Sequence, residues 1–72
     1  MRLFCKRIID AGKAPYCGRT MVVLFIEGDH MYHWVTSSNT KGFQKLEEGY
    51  TYNVQCQEHS DGSLSYVKVI DD

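Results

Sequence analysis

Apolar and polar residues alternate with a period of two along most of the chain, which is the pattern of strands that bury one face. A first strand over residues 2–9 places Phe4 and Ile8 on one face. The opposite face, which Arg7 interrupts, holds Leu3, Cys5 and Ile9. The segment 10–19, DAGKAPYCGR, has two glycines and the only proline of the chain, so we expect a loop there.

The next two segments predict a β-hairpin over residues 20–36. TMVVLFIE is rich in β-branched and aromatic residues, Gly28-Asp29 forms a tight turn, and HMYHWVT follows as the partner strand. Both strands carry large side chains on both faces, although a small domain buries only one face of a surface strand. Tyr32 and Trp34 share one face of the second strand, while Met31, His33 and Val35 share the other.

The remaining segments predict a polar connection and a second pair of strands. SSNTKGFQKLEEG contains at most one helical turn, which we place around residues 44–48. YTYNVQCQ alternates cleanly, with one face formed by Tyr50, Tyr52, Val54 and Cys56. Asp61-Gly62 predicts a tight turn before a last strand, LSYVKVI.

Five strands with almost no helix in a single domain of 72 residues predict an all-β fold closed into a small barrel. A chain of this size buries roughly 60% of its unfolded surface, which suffices for one modest core. Closure removes the exposed edges that an open sheet would leave. Three strands, a longer polar connection and then a hairpin favour a five-stranded OB-like barrel; the alternative is an SH3-like barrel.

Several segments together resemble a class of small OB-like domains found in phage and bacterial proteins of DNA replication and repair. The likeness covers residues 20–70 and rests on a glycine turn, an aromatic strand ending in Trp-x-Thr-Ser, a Leu-x-x-Gly before strand four, and a glycine-bearing last hairpin. The matching residues are Gly28, Trp34, Thr36, Ser37, Leu46, Gly49, Tyr52, Val54 and Gly62. The chain departs from these domains in its last loop, where Glu58 and Asp61 stand in place of frequent lysines.

This resemblance implies a non-catalytic binding module, with single-stranded DNA as the first candidate ligand. Single strands are held by bases stacked on aromatic rings and by cations along the phosphates. The predicted nucleic-acid surface comprises Lys13, Tyr16, Arg19, Tyr32 and Trp34. It requires Met31 and Val35 to face the core; if Trp34 faces the core instead, the stacking platform of Tyr32 and Trp34 is lost.

No pattern in the chain indicates an enzyme or a cofactor, and only two residue spacings suggest a metal site. The pairs His30/His33 and Cys56/His59 have ligand-like spacing, but residues three apart on a strand point to opposite faces. His30 and His59 border turns, which keeps a structural zinc open as an alternative to solvated turn histidines. Glycine-rich phosphate loops and nucleophile motifs are not found in the sequence. We therefore expect no catalytic residues, no bound metal and no cofactor.

Charge is distributed unevenly, which keeps a second class of partner open. Residues 1–20 contain five basic residues against one acid, while residues 21–72 contain three basic residues against eight acids. An acidic body suits a small phage-encoded modulator that binds a host protein through an acidic or edge-strand surface, and homo-oligomers are compatible with either function. Three cysteines without a secretory signal predict a cytoplasmic protein, and no apolar run is long enough to cross a membrane.

Overall fold

The structure is a computed structural model that describes residues 1–13 and 18–70. Its elements are the strands β1 (Arg2–Lys13), β2 (Arg19–Glu27) and β3 (His30–Ser37), a helical turn α1 (Lys41–Gln44), and the strands β4 (Thr51–Glu58) and β5 (Leu64–Ile70). The strands form one five-stranded sheet in the order β3-β2-β1-β4-β5, and every neighbouring pair is antiparallel.

The sheet curls into a small barrel, which confirms the predicted all-β fold with little helix. β1 pairs with β4 at its start and with β2 over most of its length, so it lies between the two halves of the sheet. A parallel bridge between His33 and Ser63 brings the outer strands β3 and β5 together. The choice between an OB-like and an SH3-like barrel stays a prediction.

One hydrophobic core fills the barrel. It takes residues from every strand and from the segment after α1, and its members are Leu3, Cys5, Val23, Phe25, Trp34, Leu46, Val54, Leu64 and Val69. The predicted inward face of the fourth strand is confirmed for Tyr52, Val54 and Cys56, but Tyr50 precedes the strand and is exposed.

The hairpin of β2 and β3 has the predicted turn at Gly28-Asp29. Gly28 adopts a φ of 58°, in the left-handed region that costs a residue without a side chain little. All eight residues from Thr20 to Glu27 pair in register with Ser37 to His30, so no bulge interrupts this hairpin.

Three sequence predictions about element boundaries were wrong. β1 continues through residues 10–13, because Asp10 still pairs with Met21 and Lys13 with Arg19. The helical turn lies at Lys41–Gln44 and shares only Gln44 with the predicted residues 44–48. The last two strands are joined by residues 59–63 rather than by a two-residue turn, and the Asp61 carboxylate accepts hydrogen bonds from Ser63 within that loop.

A β-bulge in β1 also reverses the predicted faces of its second half. Cys5 pairs with Phe25 and Arg7 with Leu24, so Lys6 is an extra residue without a counterpart in β2. One extra residue moves every later side chain to the other face. Ile8 therefore packs against the core, and Ile9 points outward beside Val22.

Candidate functional site

Trp34 lies in the core, which settles the orientation of β3. Its side chain is only 7% exposed, and it pairs with Val23, which is fully buried. Tyr32 is half-buried and packs against the same core, and burial raises the pKa of its phenol, with the Glu58 charge adding to the effect. The predicted stacking platform of Tyr32 and Trp34 is therefore not on the surface, and Met31, His33 and Val35 point outward instead.

The cationic part of the predicted nucleic-acid surface lies at the end of the β1–β2 ladder. Lys13 pairs with Arg19 there, and both are exposed. The Arg19 guanidinium forms an ion pair with Asp10, while its backbone N–H donates to the Ser38 hydroxyl over 2.9 Å. Tyr16, the remaining predicted residue, lies outside the described residues. Lys13 and Arg19 thus come together, but they do not join an aromatic surface formed by Tyr32 and Trp34.

A different surface emerges on the outside of β1, β2 and β3. Cross-strand pairing arranges its side chains in three rows, which are Phe4–Ile26–Met31, Arg7–Leu24–His33 and Ile9–Val22–Val35. We call these residues the three-strand face. Phe4, Met31 and Val35 are 39%, 53% and 59% exposed, and the other apolar members are half-buried.

Seven of the nine residues of this face are apolar, the exceptions being Arg7 and His33. Large exposed apolar patches on soluble proteins mark interaction sites, whereas isolated apolar residues need no explanation. The sequence contains one signal of it, since the β2 segment is apolar on both faces. Its extent could not be predicted, because the bulge at Lys6 decides that Arg7 and Ile9 join Val22 and Leu24 on the outside.

Charged side chains border the three-strand face on both sides. On the β1 side, Arg2, Lys6 and Arg7 are exposed. The Arg7 side chain is not part of the ion pair found among the described residues, and the Glu48 carboxylate lies at the same strand, where it accepts a hydrogen bond of 2.8 Å from the Ile8 backbone N–H. On the β3 edge, the backbone N–H of His33 donates to Gly62 over 2.9 Å. This contact brings the loop with Asp61 against the face.

The Asp61 carboxylate is already engaged. It accepts hydrogen bonds of 2.6 Å from the Ser63 hydroxyl and 2.9 Å from the Ser63 backbone N–H, and these two bonds lower its pKa, with the nearby His33 contributing. None of the side chains in the three rows is acidic. A carboxylate for Arg7 would therefore have to come from outside this face.

The spacings that suggested a metal site do not assemble one. Within residues 1–13 and 18–70, no group of three or more His, Cys, Asp or Glu side chains is placed to hold a metal ion. His59 instead makes a hydrogen bond of 2.7 Å with the Ser65 hydroxyl. Of the helices described, none has the length and apolar character needed to span a membrane.

Comparisons with protein-family models, with curated proteins and with solved structures found no match to this chain. The resemblance to small OB-like domains of DNA replication and repair proteins therefore stays a prediction.

Proposed function

We propose that this protein is a non-catalytic binding module that holds a partner protein on its three-strand face. The observation that carries the proposal is the contiguous set of exposed and half-exposed apolar residues arranged in three rows across β1, β2 and β3. Burial of such a surface stabilises a complex by roughly 25 cal/mol per Å² of apolar area, less the costs of association.

The chemistry of the face specifies the kind of partner. Apolar side chains around Leu24 require an apolar ridge opposite them, and Arg7 requires a carboxylate, which guanidinium groups bind in a bidentate geometry. A second copy of the chain would bring the same face, and none of the side chains in its three rows is acidic. We therefore propose a different protein with an apolar segment that includes Asp or Glu.

A protein partner is favoured over single-stranded DNA at this position. The two aromatic residues expected to stack on bases, Tyr32 and Trp34, point into the barrel. The proposed surface also differs from the acidic or edge-strand surface that charge alone suggested. We place the protein in the cytoplasm, where thiols such as those of Cys5 and Cys56 remain reduced.

The test selects ligands for the face and then removes its apolar character. A phage-displayed library of random peptides is panned against the wild-type protein, and the Kd of the selected peptides is measured by fluorescence anisotropy. The test variant combines Met31→Gln with Val35→Thr, which keep side-chain size while adding polarity. Ile70→Thr makes the matched change at an exposed residue of β5, outside the face.

We expect selected peptides to combine apolar residues with Asp or Glu. Their Kd should rise about tenfold or more for the Met31→Gln/Val35→Thr variant and for Arg7→Gln, because central interface residues commonly contribute more than 1 kcal/mol each. Ile70→Thr should bind as the wild type does. Peptides that bind all variants equally would refute the proposal. Sedimentation equilibrium tests the alternative. A wild-type dimer that the Met31→Gln/Val35→Thr variant does not form would show that the face binds a second copy of the chain.

A further inference from the structure

We infer that the outer wall formed by β4 and β5 is a second binding site, which takes single-stranded nucleic acid by stacking a base on Tyr66. This wall is distinct from the three-strand face, and the inference does not depend on the function proposed above. Its members, which we call the Tyr66 wall, are Gln55, Gln57, Tyr66 and Lys68.

Tyr66 has an unusual backbone conformation. Its φ is 54°, and it is the only residue other than glycine with a positive φ in the described parts of the chain. A bulky residue rarely adopts this conformation, because its Cβ crowds the following carbonyl oxygen. Such strain persists where the surrounding structure imposes it, and it concentrates at functional sites.

The strain arises from a β-bulge that redirects the Tyr66 side chain. Gln55 pairs with Lys68 and Gln57 with Ser65, so Tyr66 and Val67 together oppose Cys56. Val67 packs against the core, whereas Tyr66 is 83% exposed, the highest value among the exposed large apolar side chains described. A bulge position in the left-handed region normally favours glycine. In this chain the position is occupied by an aromatic ring that does not pack against the core.

The side chains around the ring match the parts of a nucleotide. A depression of about 460 Å³ lies beside Tyr66 and is lined also by Gln55, Cys56, Gln57 and Lys68. An aromatic ring stacks on a base, glutamine amides hydrogen-bond to base edges, and a lysine contacts the phosphate. Lys68 lies directly opposite Gln55 across the ladder, so cation and amide share one rung. Neutral sugars would make no use of the lysine.

Cys56 also lines this depression, but it does not offer a reactive group. It is half-buried, and burial raises the pKa of its thiol, with the Glu58 charge adding to the effect. Its Sγ lies 3.6 Å from the Met1 sulfur. The thiol therefore remains protonated at neutral pH, and the depression works by contact rather than by chemistry.

The test uses variants of Tyr66 that separate its backbone strain from its contact with the ligand. Binding of a fluorescein-labelled short oligo-dA is measured by anisotropy at low salt and again at rising salt. Tyr66→Gly relieves the strain, so its unfolding midpoint should be unchanged or raised, while its affinity for oligo-dA should fall about tenfold or more. Tyr66→Phe retains the ring and should bind as the wild type does.

Two further variants separate the terms of the interaction. Lys68→Gln should make the plot of log K against log salt concentration less steep, by the amount expected for the loss of about one phosphate contact. Tyr50→Gly removes an exposed tyrosine that is not part of the wall and should leave binding unchanged.

The inference is overturned if the wild type does not bind oligo-dA, or if Tyr66→Gly binds as tightly as the wild type. If dAMP at the same nucleotide concentration displaces the oligonucleotide, the ligand of this site is a free nucleotide and not a single strand. None of these outcomes bears on peptide binding at the three-strand face, so the two proposals fail separately.

Discussion

The backbone N–H of Ile8 donates a hydrogen bond of 2.8 Å to the side-chain carboxylate of Glu48. β1 pairs with β4 only over Arg2 to Phe4, and the Cys5 backbone bonds to Gly49 and Tyr50 beyond that point. The carboxylate thus continues, for one more bond, the pairing that β4 no longer supplies. We expect Glu48→Ala to lower the free energy of unfolding by about 1 kcal/mol.

Glu48→Gln is the matched control in this experiment, because its amide oxygen can still accept the hydrogen bond. Urea unfolding followed by circular dichroism measures both variants. Equal stability of Glu48→Ala and the wild type would show that water replaces the carboxylate without loss.

Burial of Trp34 predicts that its removal unfolds the protein. Trp34→Ala deletes the largest side chain of the core, a change that typically costs 3–5 kcal/mol and so a large part of the stability of a small domain. Trp34→Phe should keep the fold at reduced stability. Near-ultraviolet circular dichroism and thermal unfolding decide between these outcomes; a cooperative, wild-type-like transition for Trp34→Ala would contradict the core position.

Because the Cys5 thiol is buried, we expect the protein to lose stability at alkaline pH. Burial raises the pKa of its thiol from 9.0 to about 11, and the Glu48 charge adds to the effect. The folded state thus binds the proton more tightly than the unfolded state, so its contribution to stability is complete below pH 9 and is lost as the pH rises through 11. Urea midpoints measured from pH 7 to 11 should fall over this window.

Cys5→Ala removes the titrating group and should flatten the decline, although the variant is less stable at every pH because it leaves a small cavity. A decline of the same size in Cys5→Ala would assign it to other groups.

Asp10 predicts the opposite dependence at acid pH. The backbone N–H of Gly12 donates to its carboxylate over 2.9 Å, and this bond, together with the Arg19 guanidinium, lowers its pKa. The stabilising effect is therefore present above the ordinary pKa of 3.8 and is lost as the pH falls through the lower folded value. Asp10→Asn should show a smaller loss of stability on acidification than the wild type, when both are unfolded by urea from pH 6 to 2.

The parts of the fold that depend on local pattern were predictable. Residues 20–36 carry a β-branched run, a glycine turn and an aromatic strand, and they form the predicted hairpin. Val54 likewise lies in the core on the predicted face of the fourth strand. The β2–β3 hairpin has no bulge, and the bulge between β4 and β5 lies beyond Val54.

Other features depend on contacts that alternation does not encode. The extra residue Lys6 exchanges the faces of Ile8 and Ile9, because a bulge shifts the period of two without changing composition. Trp34 could have faced either side, since β2 is apolar on both. The positive φ of Tyr66 follows from its register against Cys56. Both proposed surfaces arise at such positions, and so neither could be predicted residue by residue.

The barrel closes along a seam between β3 and β5 through few backbone contacts. In the described parts of the chain, β3 and β5 are joined by one isolated bridge, His33 with Ser63, whose hydrogen bonds include the one from the His33 N–H to the Gly62 carbonyl. Every other neighbouring pair shares a ladder of several residues. Opening the sheet at this seam would break fewer backbone hydrogen bonds than opening it at any of the ladders, and it would leave those ladders whole. It would first bring water to Trp34 and Leu64, the core residues next to the bridge, long before the β1–β2 ladder gives way.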